Sequence, residues 1–280
     1  MLTRPCRSAL YIPGSKPRAL EKVRDLPADV ILFDLEDAVS PEEKVNARSA
    51  LAGALAMGGY GQRLRIVRIN ALDSPWGADD ASAVAGMDCD AVLLPKVNGR
   101  AEIDVLDALI PELPIWAMME TPLAILNAAA ITAHPRLQGI VMGTNDLAKD
   151  IGSRGRAALS TALQLSLLAA RAHGIVALDG VYNAFRDTEG LVRECAEGRD
   201  LGFDGKTLIH PDQIAAANAA FAPSAAEIAL AERQIAAFDE AMRAGQGVAV
   251  VDGRIVESLH IVTARATLVK AAAIATMETT

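Results

Sequence analysis

The amino-acid sequence predicts an α/β fold, a (β/α)8 TIM barrel, with a short C-terminal extension. Eight short β-branched runs alternate with eight longer Ala/Leu-rich stretches along the first 222 residues, which is the pattern of βαβ units and a parallel sheet. Polar or charged residues follow each run, and a barrel gathers all such strand ends at one mouth. A doubly wound open sheet would spread them along a crevice, so the barrel is the preferred fold.

The predicted strands are short and apolar, and they are bounded by polar, Gly or Pro residues. They span residues 9–12, 30–35, 64–69, 91–94, 115–119, 139–142, 175–178 and 207–209. Several of the helices between them begin with Ser or Pro in the first turn, as at Ser40-Pro41 and His210-Pro211. The helices span residues 18–25, 41–57, 76–86, 99–109, 122–132, 157–173, 188–200 and 211–220.

The sequence pattern changes after residue 222, so we assign residues 1–222 to a catalytic barrel and 223–280 to an extension. A Pro-Ser pair begins an amphipathic helix over 224–243, a hairpin follows at 248–253, and a last helix spans 258–275. The extension is too short for a separate domain. We expect it to pack as a lid on a barrel, either its own or that of a neighbouring subunit.

The composition argues against several classes of protein. Hydrophobic residues make up 51% of the 280 residues and charged residues 22%, so the chain can bury a large core. A net charge of −8 disfavours a general binder of nucleic acid or of anionic membranes. The three cysteines are far apart and indicate neither a disulfide framework nor a zinc site. We expect a cytoplasmic protein, since the N-terminus has no signal-peptide pattern.

Two acidic residues indicate a metal site. Glu120 and Asp146 each directly follow a predicted strand, and these strands are consecutive. Two carboxylates at one barrel mouth suit Mg²⁺, which prefers oxygen ligands and leaves positions for water or substrate. The alternative is that each carboxylate only caps the helix that follows it.

A second set of charged residues follows the second and third strands. Arg68 ends the third strand, where its guanidinium could clamp a substrate carboxylate or stabilise an enolate oxygen. Asp34, Glu36 and Asp37 form an acidic run that could support metal-bound water or Arg68. A purely structural ion pair of Arg68 with Glu36 or Asp37 is the alternative.

Basic residues near the N-terminus could bind phosphate. Lys16 and Lys22 flank the start of the first helix after a Pro-Gly-Ser loop, an arrangement that can hold phosphates through backbone N–H groups and cations. A solvated basic helix start is the alternative. Lys96 and Lys206 could suggest Schiff-base chemistry, but nearby carboxylates would keep both amines protonated.

Seven motifs in order resemble the citrate lyase beta subunit-like CoA ester lyases of the HpcH/HpaI aldolase superfamily, which include malyl-CoA and β-methylmalyl-CoA lyases. The motifs lie at residues 7–15 (RSALYIPGS), 33–39 (FDLEDAV), 67–70 (VRIN), 94–96 (LPK), 119–121 (MET), 143–147 (GTNDL) and 202–206 (GFDGK) with 209–211 (IHP). The resemblance extends to about residue 270. It implies a (β/α)8 barrel, a requirement for Mg²⁺ and cleavage of a 3-hydroxyacyl-CoA.

The resemblance also implies residue roles. Glu120 and Asp146 match the magnesium ligands, Glu120 also lying at the substrate, and Arg68 matches the arginine that contacts substrate and enolate. Lys16 and Lys22 match positions that meet the CoA phosphates, and Tyr11 lies close to that channel.

The C-terminal motif of the family supplies an acidic residue to the active site of an adjacent subunit. The stretch at 253–257 matches this motif and ends in Glu257 where the family has Asp. Glu257 is therefore the expected catalytic base, and the chain is expected to be a homo-oligomer, a trimer or a hexamer.

These roles predict a Mg²⁺-dependent carbon–carbon lyase that cleaves or forms malyl-CoA, β-methylmalyl-CoA or citramalyl-CoA. The products of cleavage would be an acyl-CoA and a 2-oxo acid such as glyoxylate or pyruvate. The alternatives are a malyl-CoA thioesterase, the beta subunit of a citrate lyase complex acting on a carrier-bound thioester, and a CoA-independent aldolase.

Overall fold

Eight parallel strands close into a barrel in the computed structural model, which describes residues 4–279. The strand order follows the chain, and β1 pairs with β8 to close the barrel. The strands are β1 Ser8–Pro13, β2 Val30–Asp34, β3 Leu64–Arg68, β4 Ala91–Leu94, β5 Ile115–Met119, β6 Leu137–Met142, β7 Val176–Asp179 and β8 Gly205–Leu208. The predicted TIM barrel is therefore confirmed, with strand ends shifted by only one or two residues.

Helices cover the outside of the barrel. They are α1 Pro17–Lys22, α2 Lys44–Met57, α3 Gly77–Val84, α4 Arg100–Leu109, α5 Pro122–Leu126, α6 Ala128–Thr132, α7 Thr144–Asp150, α8 Ser160–Ala172, α9 Thr188–Leu201 and α10 Ile214–Phe221. The helix predicted over 122–132 is two short helices, because the chain leaves helical geometry at Asn127. The sequence analysis missed α7, whose seven residues are too few for a clear helical period.

Alternation along the strands separates two apolar layers. Inward residues fill the barrel interior, and outward residues pack against the helices. The inward set comprises Ala9, Tyr11, Val30, Leu32, Leu64, Ile66, Ala91, Leu93, Trp116, Met118, Val141, Val176 and Leu178. Counting two residues onward from Leu32, Ile66 and Met118 reaches Asp34, Arg68 and Glu120. The period of two therefore aims these three polar side chains into the mouth.

The barrel interior is closed below the mouth by a large side chain. Trp116 is fully buried, and Gly139 on the neighbouring strand gives it room, since a Cβ at residue 139 would lie 2.6 Å from the indole ring. Tyr11 and Met118 lie in the next layer, where the Tyr11 hydroxyl donates to Met118 Sδ at 3.6 Å. These side chains therefore fill the barrel interior below the carboxyl ends of the strands.

A buried ion pair joins the beginnings of β1 and β2. The Asp29 carboxylate accepts hydrogen bonds from the Arg7 backbone N–H at 2.8 Å, from Nε at 2.9 Å and from Nη2 at 2.9 Å. The side chains are 4% and 2% exposed, so neither charge could be solvated if its partner were removed. This pair lies at the amino ends of the strands, opposite the catalytic mouth.

The chain divides into two compact units, one over Cys6–Phe221 and the other over residues 222–279 together with residues 4 and 5. The second unit contains α11 Ala225–Arg243, a hairpin of β9 Ala249–Val251 and β10 Arg254–Val256, and α12 Ser258–Glu278. The helix–hairpin–helix order predicted for the extension is thus present. Its own small core is formed by Ala241, Ala249, Val256 and Ile261.

Two helical stretches meet a criterion of length and hydropathy for membrane spans: Pro211–Arg243 and Ser258–Glu278, with mean hydropathies of 1.3 and 1.2. The first stretch is interrupted at residues 222–224, between α10 and α11. One or two such helices are weak evidence of a span, because core helices of soluble proteins meet the same criterion.

We predict that Asp29→Ala lowers the free energy of unfolding by about 3–5 kcal/mol, because it removes the buried carboxylate that accepts three hydrogen bonds from Arg7. The activity per folded molecule should not change, since Asp29 lies away from the mouth. Urea denaturation and an assay below the unfolding midpoint measure both effects. Glu189→Ala, which removes an exposed carboxylate, is the control and should stay within about 0.5 kcal/mol of wild type. A matching loss in the control would contradict the prediction.

Candidate active site

A buried guanidinium–carboxylate pair lies at the mouth between β2 and β3. Arg68 Nε donates to Asp34 Oδ1 at 2.8 Å, and Nη2 donates to Asp34 Oδ2 at 2.6 Å, which is a bidentate fork. The side chains are 9% and 1% exposed. The structural ion pair considered from the sequence is therefore present, but its principal acceptor is Asp34.

The acidic loop after β2 folds around the same guanidinium. Asp34 accepts the backbone N–H groups of Glu36 at 2.8 Å and of Ala38 at 3.0 Å, which fixes the turn. Arg68 Nη1 lies 2.8 Å from Glu36 Oε2 and 3.6 Å from Asp37 Oδ2. Burial raises the pKa of the Glu36 carboxyl to about 7, against the lowering effect of Arg68. Glu36 can thus exchange a proton near neutral pH.

A buried lysine holds the acidic loop from behind. Lys44 Nζ donates to the Leu35 carbonyl at 3.0 Å, to the Glu36 carbonyl at 2.7 Å and to Asn70 Oδ1 at 2.7 Å. Asn70 Nδ2 in turn donates to the Leu35 carbonyl at 2.9 Å. Lys44 was not predicted to belong to the site. The one hint in the sequence is its partner Asn70, which follows Arg68 by two residues. This network fixes the loop and the end of β3 relative to each other.

Tyr11 lies inside the barrel beside the guanidinium. The Arg68 Cζ atom is 4.9 Å from the centre of the Tyr11 ring, a cation–π contact. Burial raises the pKa of the Tyr11 phenol, so the hydroxyl stays protonated at neutral pH. The ring therefore supports Arg68 at the base of the mouth, and its predicted closeness to the CoA channel stays a prediction.

The predicted metal ligands meet at one lysine. Glu120 directly follows β5 and is 2% exposed, whereas Asp146 lies in the first turn of α7 with 33% of its side chain exposed. Lys96 Nζ is 3.5 Å from Glu120 Oε1 and also donates to Asp146 Oδ2. The Lys96 backbone N–H donates to Glu120 Oε1 at 2.7 Å. The structure thus brings Glu120 and Asp146 to a shared cation.

Gly143 gives Glu120 the room that it needs. A Cβ at residue 143 would lie 2.3 Å from the Glu120 Cβ and 2.7 Å from its Oε2. The residue precedes α7, and its backbone N–H bonds to the Met119 carbonyl at 3.1 Å. The close approach sets the spacing between the end of β5 and the start of α7, and with it the spacing of the two carboxylates.

The donor set fits a hard divalent cation. Both side chains offer carboxylate oxygens, and a positive ammonium already lies against both of them. Burial raises the pKa of Glu120, against the lowering effect of the Lys96 N–H, so a stronger cation nearby would favour its ionised form. Within residues 4–279 no group of three or more His, Cys, Asp and Glu residues is arranged for a metal. Substrate or water would have to complete the coordination.

The basic residues predicted to meet CoA lie on the β1 side of the barrel. Lys16 immediately precedes α1 and Lys22 ends it. The Lys16 side chain is 60% exposed, and its Nζ lies 3.9 Å from Glu43 Oε2, a weak surface contact. Both amines are therefore free to meet an anionic ligand, and their role stays a prediction.

Lys206 is excluded from Schiff-base chemistry by its surroundings. Its side chain is fully buried, and Nζ donates to Asp179 Oδ2 at 3.0 Å, to the Gly180 carbonyl at 2.6 Å and to Glu194 Oε1 at 2.7 Å. Arg156 shares the same Asp179 carboxylate through two hydrogen bonds. These contacts make Lys206 part of a structural network, as its neighbouring carboxylates led us to expect.

Glu257, the predicted base, belongs to the second unit. It immediately precedes α12, it is exposed, and its backbone N–H donates to His260 Nδ1 at 3.0 Å. Its action on a neighbouring subunit stays a prediction.

The barrel is the fold expected of one family. The chain belongs to the HpcH/HpaI aldolase/citrate lyase family, whose match covers residues 7–211. The crystal structure of protein CitE from Mycobacterium tuberculosis, in complex with magnesium, acetoacetate and coenzyme A, superposes with a TM-score of 0.80. The two chains are 31% identical, and the comparison covers 97% of this chain and all of the other.

The curated relatives differ widely in their sequence identity to this chain. The (3S)-malyl-CoA thioesterase of Cereibacter sphaeroides KD131 is 64% identical over 97% of this chain and 96% of its own. The citrate lyase subunit beta of Leuconostoc mesenteroides is 36% identical over 90% and 88%. The L-malyl-CoA/beta-methylmalyl-CoA lyase of the same Cereibacter strain is 34% identical, with 92% of each chain covered.

The predicted carbon–carbon lyase activity is wrong. Relatives with 62–64% identity over 97% of the chain are thioesterases, which are hydrolases, whereas the lyases of the family are only 34–36% identical. The error has a chemical reason, because one site can bind malyl-CoA for either reaction. Motifs that hold the substrate therefore do not tell which of its bonds is broken.

We predict that Glu36→Gln changes how stability depends on pH. The folded-state pKa of about 7 lies above the unfolded value of 4.5, so the folded chain binds a proton that the unfolded chain has released between these two pH values. The contribution of Glu36 to the free energy of unfolding is therefore lost as pH rises from about 4.5 to 7. In EDTA, the variant should gain stability relative to wild type between about pH 4.5 and 7, on the order of 2–3 kcal/mol. Urea denaturation at several pH values measures the difference, with exposed Glu189→Gln as control. A difference that does not vary with pH would refute the raised pKa.

Proposed function

We propose that this protein is a thioesterase that hydrolyses (3S)-malyl-CoA, or a closely similar 3-hydroxyacyl-CoA, to the free hydroxy acid and CoA. The observation that carries the proposal is the 64% identity over 97% of the chain to a (3S)-malyl-CoA thioesterase. The geometry of the mouth supports it, since the site combines a fixed cation, a carboxyl group that titrates near neutral pH and two further carboxylates.

Arg68 is the group placed to stabilise the transition state. When water attacks the thioester carbonyl, negative charge develops on the carbonyl oxygen, and a fixed guanidinium stabilises that charge best in a buried site. Arg68 is held in place by Asp34 and by the Tyr11 ring, so it needs no reorganisation during the reaction. The lyase role predicted for Arg68 toward an enolate becomes a role toward this oxyanion.

Glu36 is the carboxylate best suited to activate the water. Its pKa of about 7 leaves a substantial ionised fraction at neutral pH, and a base with such a pKa is effective in proton transfer. Glu36 would take one proton from water as the oxygen bonds to the carbonyl carbon. It would then return that proton to the CoA sulfur as the carbon–sulfur bond breaks. Glu36 thereby ends in its starting state.

The two carboxylates would anchor the acid end of the substrate. Glu120 and Asp146 would hold Mg²⁺, which would supply a Lewis acid for the carboxylate and hydroxyl oxygens of the malyl group. The magnesium in the Mycobacterium tuberculosis relative supports this assignment. In hydrolysis the substrate hydroxyl keeps its proton, so the base role predicted for Glu257 toward that hydroxyl would have no place in this reaction.

The CoA part of the substrate would lie on the β1 side, where Lys16 and Lys22 offer exposed ammonium groups to its phosphates. The coenzyme A in the Mycobacterium tuberculosis relative supports a CoA ligand for this fold. We also propose the homo-oligomer expected from the sequence, with the C-terminal unit and Glu257 as its contribution to a neighbouring site.

The function is tested by product analysis of the purified protein with (3S)-malyl-CoA and Mg²⁺. We expect free CoA and malate in equal amounts, and loss of turnover in EDTA or in Glu120→Ala and Asp146→Ala. Mass spectrometry distinguishes these products from acetyl-CoA and glyoxylate. Formation of acetyl-CoA and glyoxylate would overturn the proposal in favour of cleavage of the carbon–carbon bond.

We predict that Arg68→Lys lowers kcat by roughly a hundredfold, because lysine keeps the charge but loses the bidentate geometry. The KM for malyl-CoA should change much less than kcat. Steady-state kinetics and a thermal melt of both proteins separate a catalytic effect from a loss of folding, and exposed Arg193→Lys is the control. A variant that is folded and retains the kcat of wild type would exclude Arg68 from transition-state stabilisation.

A further inference from the structure

Lys96 contacts both predicted metal ligands, Glu120 through its backbone N–H and its ammonium, and Asp146 through its ammonium. Its backbone N–H bonds to Glu120 Oε1 at 2.7 Å, while its ammonium lies 3.5 Å from the same oxygen and bonds to Asp146 Oδ2. The ammonium of Lys96 therefore lies between the two carboxylates and balances part of their charge.

The backbone of Lys96 is held in an uncommon conformation. Its φ of 53° lies in the left-handed region, which is easy for glycine and costly for residues with a side chain. Between residues 4 and 279 only one other non-glycine residue, Asp252 in the hairpin turn, has a positive φ. A glycine at this position could donate the same N–H to Glu120 without the strain, so the backbone hydrogen bond does not account for the lysine side chain.

The ammonium and a divalent cation would compete for the same oxygens. A metal held by Glu120 and Asp146 would meet a positive charge within a few ångströms, and like charges at that separation repel strongly in a partly buried site. The Lys96 side chain is 37% exposed and could turn toward solvent. Glu120 would keep the backbone hydrogen bond after such a movement, since only the side chain of Lys96 has to leave.

We propose that Lys96 is a resident counter-cation of the metal site: its ammonium pairs with Glu120 and Asp146 in the metal-free protein and is displaced when a divalent cation binds. The residue thereby stabilises the empty site and weakens the apparent affinity for metal. The inference rests on the proposed function in one respect, namely the assignment of Glu120 and Asp146 as the metal ligands.

The test compares three variants of the full chain at residue 96 with an outside control. Lys96→Met removes the charge but keeps a long side chain in the left-handed conformation, Lys96→Gly removes both charge and backbone strain, and Lys96→Arg keeps the charge. Lys149→Met is the matched control, because Lys149 is an exposed lysine three residues from Asp146. Metal-free proteins are titrated with Mn²⁺ as the probe, by electron paramagnetic resonance and by calorimetry, and melted with and without Mn²⁺.

We expect Lys96→Met and Lys96→Gly to bind Mn²⁺ about tenfold more tightly than wild type, or more. In EDTA, Lys96→Met should melt below wild type, because its two carboxylates are no longer neutralised, and Mn²⁺ should raise its melting temperature more than that of wild type. Lys96→Arg and Lys149→Met should stay within about threefold of the wild-type affinity.

Unchanged or weaker Mn²⁺ binding in Lys96→Met would overturn the inference, as would equal tightening in Lys149→Met. The binding test does not depend on which bond of the substrate breaks. If Lys96→Met binds Mn²⁺ more tightly and the wild-type enzyme releases acetyl-CoA, the role of Lys96 is upheld and the thioesterase is overturned. If Mn²⁺ binding is unchanged and the wild-type enzyme releases free CoA, the role of Lys96 is overturned and the thioesterase is upheld.

Discussion

The pairing of Arg68 with Asp34 is the interaction on which the rest of the mouth depends. A guanidinium that is 9% exposed requires a partner, and Asp34 satisfies two of its N–H groups while also accepting two backbone N–H groups of its own loop. The loop therefore cannot move without breaking the ion pair. Lys44 and Asn70 hold the same unit from behind. The position of Glu36, and with it the pKa of its carboxyl, follows from this arrangement.

The mouth contains a second charged cluster with a different character. Arg68 is paired chiefly with Asp34 and Glu36, which are themselves buried, so its position is fixed. Glu120 and Asp146 share an ammonium whose side chain is 37% exposed, and this contact can be exchanged. In the proposed function, one half of the site would provide a fixed charge for the transition state, and the other half would provide a replaceable charge for a ligand. Gly143 keeps the two carboxylates of the exchangeable half at their spacing.

Much of this arrangement follows from short-range patterns in the sequence. Alternation of apolar residues predicts the strands, and continuing the alternation by one step predicts that Arg68 and Glu120 point inward. The contacts of Lys44 could not be predicted, because they depend on where separate strands end in space. For Lys96 the sequence indicated nearby carboxylates but not which ones. The seven-residue helix that carries Asp146 is too short to show a period. The bond that is cleaved could not be predicted either, since lyases and thioesterases of this family hold similar acyl groups.

The indole of Trp116 fills the barrel interior below the mouth. Because Gly139 lets this ring lie across the barrel, and because Tyr11 and Met118 fill the layer above it, nothing can extend downward along the barrel axis. An acyl group that enters from the mouth would therefore reach Tyr11 and Met118 and extend no further along the barrel axis. Accepting longer acyl groups would first require smaller residues at positions 11 and 118, which lie between Trp116 and the mouth.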